Sequence, residues 1–326
     1  MSTTQDSFRI FRSIDELPAS CGPSVVAIGN FDGVHLGHRE ILSAVVADAR
    51  ACGAIAIAVT FQPHPEHFLR PDRAPQLITP LEERLRLLAE TGIDAVLVLK
   101  FDAALSRLTP REFVETILVA ALKTSGIHEG ENFRFGYRAA AGVSELAEFG
   151  REFSFTVTAH TAVHVRGLEV SSSAIRALVA AGDMRRARWM LGRPFTMLST
   201  QARGRGVGSR LLVPTVNFAE YSGLTPAMGV YVTRLNVCGR AFEAVTNVGN
   251  RPTFEGVGFG IETHILNFEP VEMGEDTPLE LEFLMRLRGE QKFSSTEALK
   301  TQIIKDVGRA NRYFRRRKTV LNQSTE

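Results

Sequence analysis

The chain has 326 residues, long for one compact core and sufficient for two. Apolar residues make up 44% and charged residues 23%, which excludes a disordered chain; 38 Lys and Arg against 36 Asp and Glu leave a net charge of +2, with no global pull toward nucleic acid or anionic membrane. The three scattered cysteines argue against a disulfide framework, no apolar run approaches the ~20 residues of a membrane span, and Met1 to Arg12 lacks a secretory pattern, so a cytoplasmic location is expected.

Residues 1–20 read as a polar lead-in. Val25 to Ile28 is an apolar, β-branched run of the kind buried in a parallel sheet. Gly29 and Gly33 interrupt it, allowing a sharp turn and a close backbone approach to a ligand. After Gly37 a helical pattern begins, with Ile41, Leu42, Val45, Val46 and Ala49 on one side. His35 and His38 therefore stand between a strand and a helix, where open α/β sheets bind ligands and a helix N-terminus offers N–H groups to anions. Such a pair suits charge stabilisation at phosphorus. A structural role or an i, i+3 metal pair is the alternative, although no second Cys or His cluster stands at zinc spacing. The glycines do not spell G-x-G-x-x-G, so this is not the dinucleotide fingerprint.

Gly29-Asn30-Phe31-Asp32-Gly33-Val34-His35-Leu36-Gly37-His38 resembles the G-x-F-D-x-x-H-x-G-H signature of the nucleotidyltransferases, and its wording is closest to bacterial bifunctional riboflavin kinase/FMN adenylyltransferases. The resemblance implies that His35 and His38 are catalytic, contacting ATP phosphates, and that Gly29, Phe31, Asp32 and Gly37 bind nucleotide.

Ala54 to Phe61 reads as a second parallel strand, ended by two prolines. Thr60 to Pro65 matches the family's Thr-Phe-x-Pro-His-Pro, which implies flavin contacts from Pro63, His64 and Pro65; on composition alone it is a stiff loop. Thr79-Pro80 and Thr109-Pro110 start helices, and Ala95 to Leu99 is a third strand, so strand and helix alternate as in a doubly wound parallel sheet. In Gly130 to Gly136 two aromatics around an arginine suit either a wall for a planar ring or a core-facing loop. The family's Gly-x-[Asp/Asn]-Phe-x-Phe-Gly implies flavin contacts from Asn132, Phe133 and Phe135. Gly142-Val143 stands where many relatives have Gly-Asp, so that aspartate's contact does not carry over. Ser154 to Thr161 is a further strand. Ser171, Ser172 and Ser173 precede a helix, as an N-cap or as a triphosphate site with Arg176. They resemble Ile-Ser-Ser-Thr-x-Ile-Arg, which implies nucleotide binding by all four. Leu191 to Phe195 resembles Leu-Gly-Arg-Pro-Tyr, and the domain boundary is placed there: residues 1–193 and 194–326.

The second half turns to short β-like runs punctuated by Gly and Pro (Leu211 to Val213, Gly229 to Leu235, Phe242 to Thr246, Ile261 to Phe268, Leu279 to Leu284) with helical periodicity after Ser294. That pattern predicts a small antiparallel barrel with a C-terminal helix. Arg203 to Arg210 is basic and glycine-rich; Gly206 and Gly208 are assigned to nucleotide, with a surface loop as the alternative. Thr215 and Asn217, two apart on a strand, project to one face. The resemblance extends here: Pro214-Thr215-Val216-Asn217 matches the riboflavin kinase Pro-Thr-x-Asn, implying that Thr215 and Asn217 ligate Mg2+ and ATP, although Leu212 replaces the motif's glycine. Asn247 to Phe254 implies flavin binding by Arg251. Ile261 to Leu266 implies Glu262 as the catalytic base on the riboflavin 5′-hydroxyl. Arg315 to Lys318 reads as a solvated tail.

The fold expected is an α/β doubly wound nucleotidyltransferase (Rossmann-like) domain followed by a small antiparallel β-barrel riboflavin kinase domain with a C-terminal helix. The function expected is phosphorylation of riboflavin to FMN by the second domain and adenylylation of FMN to FAD by the first, with ATP as co-substrate, Mg2+ as cofactor and FMN and FAD as substrate and product. The partners are these small molecules, with neither nucleic acid nor membrane, in a monomer or weak homo-oligomer. One alternative is an adenylyltransferase whose degenerate kinase domain only binds flavin; another is a flavin-responsive regulator without turnover.

Overall fold

The computed structural model describes residues 8–19, 21–202, 215–219, 221–253, 256–267, 269 and 277–323. They form two compact units, Met1–Ser172 and Ser173–Glu326.

In the first unit the elements run β1 (Arg9–Phe11), β2 (Ser24–Ile28), α1 (Leu36–Cys52), β3 (Ile55–Gln62), α2 (Pro65–Leu69), α3 (Leu81–Ala89), β4 (Ala95–Lys100), α4 (Ala103–Arg107) and α5 (Pro110–Phe113). A π-helical stretch, Val114–Ala121, continues α5. Then follow β5 (Thr124–Gly130), β6 (Arg134–Phe135), β7 (Ala141–Gly142), α6 (Val143–Phe153), β8 (Thr156–His160), β9 (His164–Val165) and β10 (Leu168–Glu169). Six strands form a parallel sheet in the order β1-β4-β3-β2-β5-β8. Every residue of β2 is buried because alternate side chains feed two cores. Val26 and Ile28 pack with Ile57, Val59 and Leu97 on one face; Val25 and Ala27 pack with Ala56, Ala58 and Val96, under Leu42 and Val45 of α1, on the other.

Two strands depart from the sequence expectation. β1 lies inside the expected lead-in and pairs with β4, burying Phe11 while Ile10 stays exposed; three residues are too few to show a period. β5 was not expected, because Thr-Ser-Gly-Ile-His-Glu-Gly has little apolar pattern. Its buried His128 and Glu129 answer to the site rather than to the core.

The second unit takes in α7 (Ser172–Ala181), which begins at the junction, and α8 (Met184–Leu191), then β11 (Phe195–Thr200), β12 (Thr215–Asn217), β13 (Gly229–Val237), β14 (Arg240–Thr253), β15 (Gly256–Ile265), β16 (Pro278–Gly289) and α9 (Thr296–Gln323). α7 and α8 thus group with the second unit, although they precede residue 193. α8 buries Met184, Ala187, Met190 and Leu191 and contacts β11 and β16. The strands form one antiparallel sheet, β11-β16-β13-β14-β15-β12. It curls until its edges meet: Ala202 N donates to Asn217 O at 2.8 Å and Ala219 N to Thr200 O at 2.9 Å. Val230, Val232 and Leu284 pack against Ala310 and Phe314 of α9. The run Leu211 to Val213 lies outside the described residues.

Candidate active sites

The signature sequence becomes a strained turn from β2 into α1. Gly33 has φ +86°, where glycine is at ease, but Phe31 (φ +47°) and Val34 (φ +37°) also adopt positive φ, at about 1–3 kcal/mol each. Buried polar groups hold the turn in that shape. The Asp32 carboxylate, 1% exposed, accepts from Ile78 N (3.0 Å) and Thr79 N (2.9 Å), and Gly33 N donates to Thr79 Oγ1 at 2.9 Å. Ser172 Oγ donates to Asp32 O at 2.9 Å. Arg84, fully buried on α3, donates to Asn30 O at 2.6 Å and to Phe61 O and Gln62 Oε1 at 3.3 Å.

His35 caps α1: its Nδ1 accepts from His38 N at 3.3 Å, which leaves the neutral ring's proton on Nε2. The two imidazoles stack with centroids 3.6 Å apart and planes 16° apart, and the Phe31 ring meets His38 edge-on at 5.3 Å. Burial, with the neighbouring His35 ring and the Arg84 guanidinium acting in the same direction, holds His38 well below the usual histidine range. Gly37 leaves room for the imidazole: a Cβ there would press on the His35 ring at 3.3 Å.

These groups line a cavity of about 340 Å³ at the C-terminal ends of β2, β5 and β8. The strand order reverses between β2 and β5, which is where doubly wound sheets hold ligands. The cavity brings together Gly29, Phe31, His35, Gly37 and His38 with Asn132 and Phe133 on one side and Ser171 and Ser172 on another. Other expected residues stand elsewhere. Asp32 lies beneath the turn, engaged by Ile78 and Thr79. Phe135 is in the core, its ring stacked 5.6 Å from Phe133, so only Phe133 reaches the cavity wall. Pro63, His64 and Pro65 do not line it; His64 caps α2, accepting from Glu66 N at 3.2 Å. Ser173 and Arg176 follow Ser172 on α7.

The cavity also has members that the sequence reading missed. The Glu129 side chain, 4% exposed, accepts from Ile28 N at 2.5 Å, and burial raises its carboxyl well above the usual carboxylate range. His160 lines the wall and is tied back in a chain: its Nε2 is 3.0 Å from His128 Nδ1, and His128 Nε2 is 2.9 Å from Asp48 Oδ2. Burial holds His128 below the ordinary histidine range, against the opposing pull of Asp48. Polar residues in a strand that ends at a glycine motif were the available signal.

In the second unit the expected residues meet by strand register. Asn217 stands opposite Glu262 across β12 and β15, Asn247 stands opposite Glu262 across β14 and β15, and Thr215 stands opposite His264. Directly paired residues share a face at about 5 Å between Cβ atoms. Val216, Ile261, Thr263 and Ile265 are buried, so Thr215, Asn217, Glu262 and His264, all half-buried, occupy the outer face of the curled sheet. Thr215 Oγ1 lies 3.1 Å from His264 Nδ1, and burial holds that histidine below its usual range, against the opposing charge of Glu262. Hydroxyl, amide and carboxylate oxygens suit a hard cation such as Mg2+. Among the described residues no cluster of three or more His, Cys, Asp and Glu side chains forms a metal cage. Gly206, Gly208 and Leu212 lie outside the described residues; Arg251 is on β14, and its side chain lies outside them.

Comparison with known proteins agrees with both halves. Residues 18–174 match the FAD synthetase family model, and residues 191–314 match the riboflavin kinase model. The bifunctional riboflavin kinase/FMN adenylyltransferase of Escherichia coli (strain K12) is 33% identical over 291 residues, covering 89% of this chain and 92% of that protein. The Pseudomonas fluorescens protein of the same description is 35% identical, covering 93% and 96%. A solved chain from Streptococcus pneumoniae, described as a macrolide-efflux protein, superimposes with a TM-score of 0.83 at 26% identity, over 94% of this chain and 99% of that one. Among the described residues no helix is long and apolar enough to cross a membrane. With relatives above 30% identity over nearly the whole length, the chain belongs to the bifunctional riboflavin kinase/FMN adenylyltransferase family.

Proposed function

We infer that this chain makes FAD from riboflavin in two ATP-dependent steps. The second unit transfers the γ-phosphoryl of ATP to riboflavin, giving FMN and ADP. The first transfers adenylyl from a second ATP to FMN, giving FAD and pyrophosphate. The observation that carries the reading is the His35–His38 stack at the strand reversal of a parallel sheet, in a cavity that also holds Asn132, Phe133, Ser171 and Ser172. Neither step needs a protein nucleophile. In adenylylation the FMN phosphate attacks the α-phosphorus, and the His35 and His38 ring N–H groups stabilise the charge that develops there. Gly29, Phe31 and Gly37 shape the turn for close approach, while Asp32 acts from below by fixing it. Ser171, Ser172, Ser173 and Arg176 are assigned to the triphosphate, and Asn132 and Phe133 to the flavin. Pro63, His64, Pro65 and Phe135 support the flavin side rather than line the cavity.

In phosphorylation Glu262 takes the 5′-hydroxyl proton as the oxygen attacks the γ-phosphorus. Thr215 and Asn217 would hold Mg2+, which neutralises phosphate charge when bound. The nucleotide role of Gly206 and Gly208 and the flavin role of Arg251 rest on their motifs. We place the boundary between the activities after Arg193, the compartment in the cytoplasm, and the enzyme as a monomer or weak homo-oligomer.

Chromatography of flavins after incubation with ATP and Mg2+ tests the reading. FAD is expected from both riboflavin and FMN. Glu262→Gln should slow the riboflavin route about 10²–10⁴-fold and leave FAD formation from FMN intact. FAD from FMN alone would reduce the second unit to a flavin-binding module, with Leu212 the first suspect.

A further inference from the structure

Glu129 stands apart from the groups that the two reactions already use. It is the penultimate residue of β5 and lines the cavity, 4% exposed, beside the signature turn. Among the described residues its protein partner is the Ile28 N–H at 2.5 Å, and no Arg, Lys or His forms an ion pair with it. A buried carboxylate without a cation is costly, so burial favours the neutral carboxylic acid over the carboxylate and raises its pKa, against the opposing Ile28 hydrogen bond. A carboxylic acid that accepts from Ile28 through one oxygen has a hydroxyl left to donate. In the same wall the His35–His38 stack and the α1 N-terminus offer N–H groups to a phosphate.

We propose that Glu129 contacts substrate in adenylyl transfer, donating its carboxyl O–H to a phosphoryl oxygen of the bound ligand, either ATP or FMN. This rests on the function proposed above and adds a positioning contact to it. The Ile28 bond places that donor next to Gly29, at the reacting end of the cavity. Ionisation would turn the donor into a like charge facing phosphate, so binding weakens as pH rises. A carboxyl that served ribose hydroxyls would behave oppositely, because a carboxylate accepts from hydroxyls more strongly. Other titratable groups surround the cavity: His35, His38 and Glu40 on the α1 side, Glu131 after β5, His160 at the end of β8, and Glu169 on β10. His128 and Asp48 stand behind His160. Glu129→Gln removes one titration from this set and keeps an N–H donor at every pH.

The experiment measures Kd for a non-hydrolysable ATP analogue and for FMN, with KM for each in adenylyl transfer, from acidic to alkaline pH. In the wild type the affinity of one ligand should fall about tenfold per pH unit above the Glu129 pKa, and in Glu129→Gln it should stay flat. Whichever ligand shows the fall identifies the phosphate that is contacted. Identical pH profiles in both proteins, or an affinity that rises with pH, would overturn the proposal. An infrared difference spectrum of the wild type removes dependence on the variant's folding: the protonated carboxyl band should shift on ligand binding, and an unshifted band would also overturn it. A wild type that binds both ligands without making FAD would refute the proposed function instead, and the binding profiles would still decide the role of Glu129.

Discussion

Replacing Arg84 by Met should loosen the signature turn and disable one activity while sparing the other. The guanidinium is fully buried and holds Asn30 O, Phe61 O and Gln62 Oε1. Methionine fills much of the volume but removes the guanidinium donor from Phe61 O and leaves Asn30 O with the Thr60 hydroxyl at 3.2 Å, at about 1–3 kcal/mol for the lost carbonyl partner. Relief of the buried charge, whose pKa burial lowers, offsets part of this, so the net loss is about 1–2 kcal/mol. The Phe31 and Val34 backbones would then relax from their positive φ. A displacement of about 1 Å at His35 and His38 corresponds to about 10²-fold in rate. FAD formation from FMN should therefore fall about 100-fold, while riboflavin phosphorylation stays within about twofold, because the second unit has its own core. A chain of two units need not unfold in one step, so hydrogen exchange at β2 and β3 measures the stability loss in the affected unit. Arg84→Lys should fall between, because one ammonium cannot span all three acceptors. Arg84→Met with wild-type exchange and wild-type FAD formation would refute the reasoning.

Gly37→Ala separates stability from activity. Alanine favours the first turn of α1 by about 0.5–1 kcal/mol over glycine, yet its Cβ presses on the His35 ring at 3.3 Å; melting should hold or rise while FAD formation falls about tenfold. In the second unit, Thr246→Val breaks a buried hydroxyl chain in which Thr246 Oγ1 lies 2.7 Å from Thr233 Oγ1 and 2.9 Å from Thr263 Oγ1. Unfolding of that unit should become easier by about 1–3 kcal/mol with FAD formation from FMN unchanged, and an unaltered melting curve would show that the hydroxyls pair elsewhere.

Much of the chemistry was legible in the sequence because it sits in contiguous motifs. Strand, glycine turn and helix within Val25 to Ala49 place His35 and His38 together, since the local chain alone brings them to one turn. The two-residue spacing of Thr215 and Asn217 likewise predicted a shared face, which the strand register bears out. Groups that act across the fold were not legible. Arg84 looks like an exposed helix charge in Leu-Glu-Glu-Arg-Leu and is fully buried, because α3 turns it toward the ends of β2 and β3. Glu129 and the Asp48–His128–His160 chain gain meaning only when β5 lies beside β2 and β8.

Local periodicity and turn chemistry thus indicated, from sequence alone, the two fold classes, and the family resemblance marked the loops proposed for phosphate chemistry. Tertiary structure decided which of those residues face the cavity. It drew Phe135 into the core, set Asp32 beneath the turn, and left Pro63, His64 and Pro65 off the cavity wall. The physical reason is that direction and burial depend on partners distant in the chain, and a motif specifies its own backbone but not what packs against it.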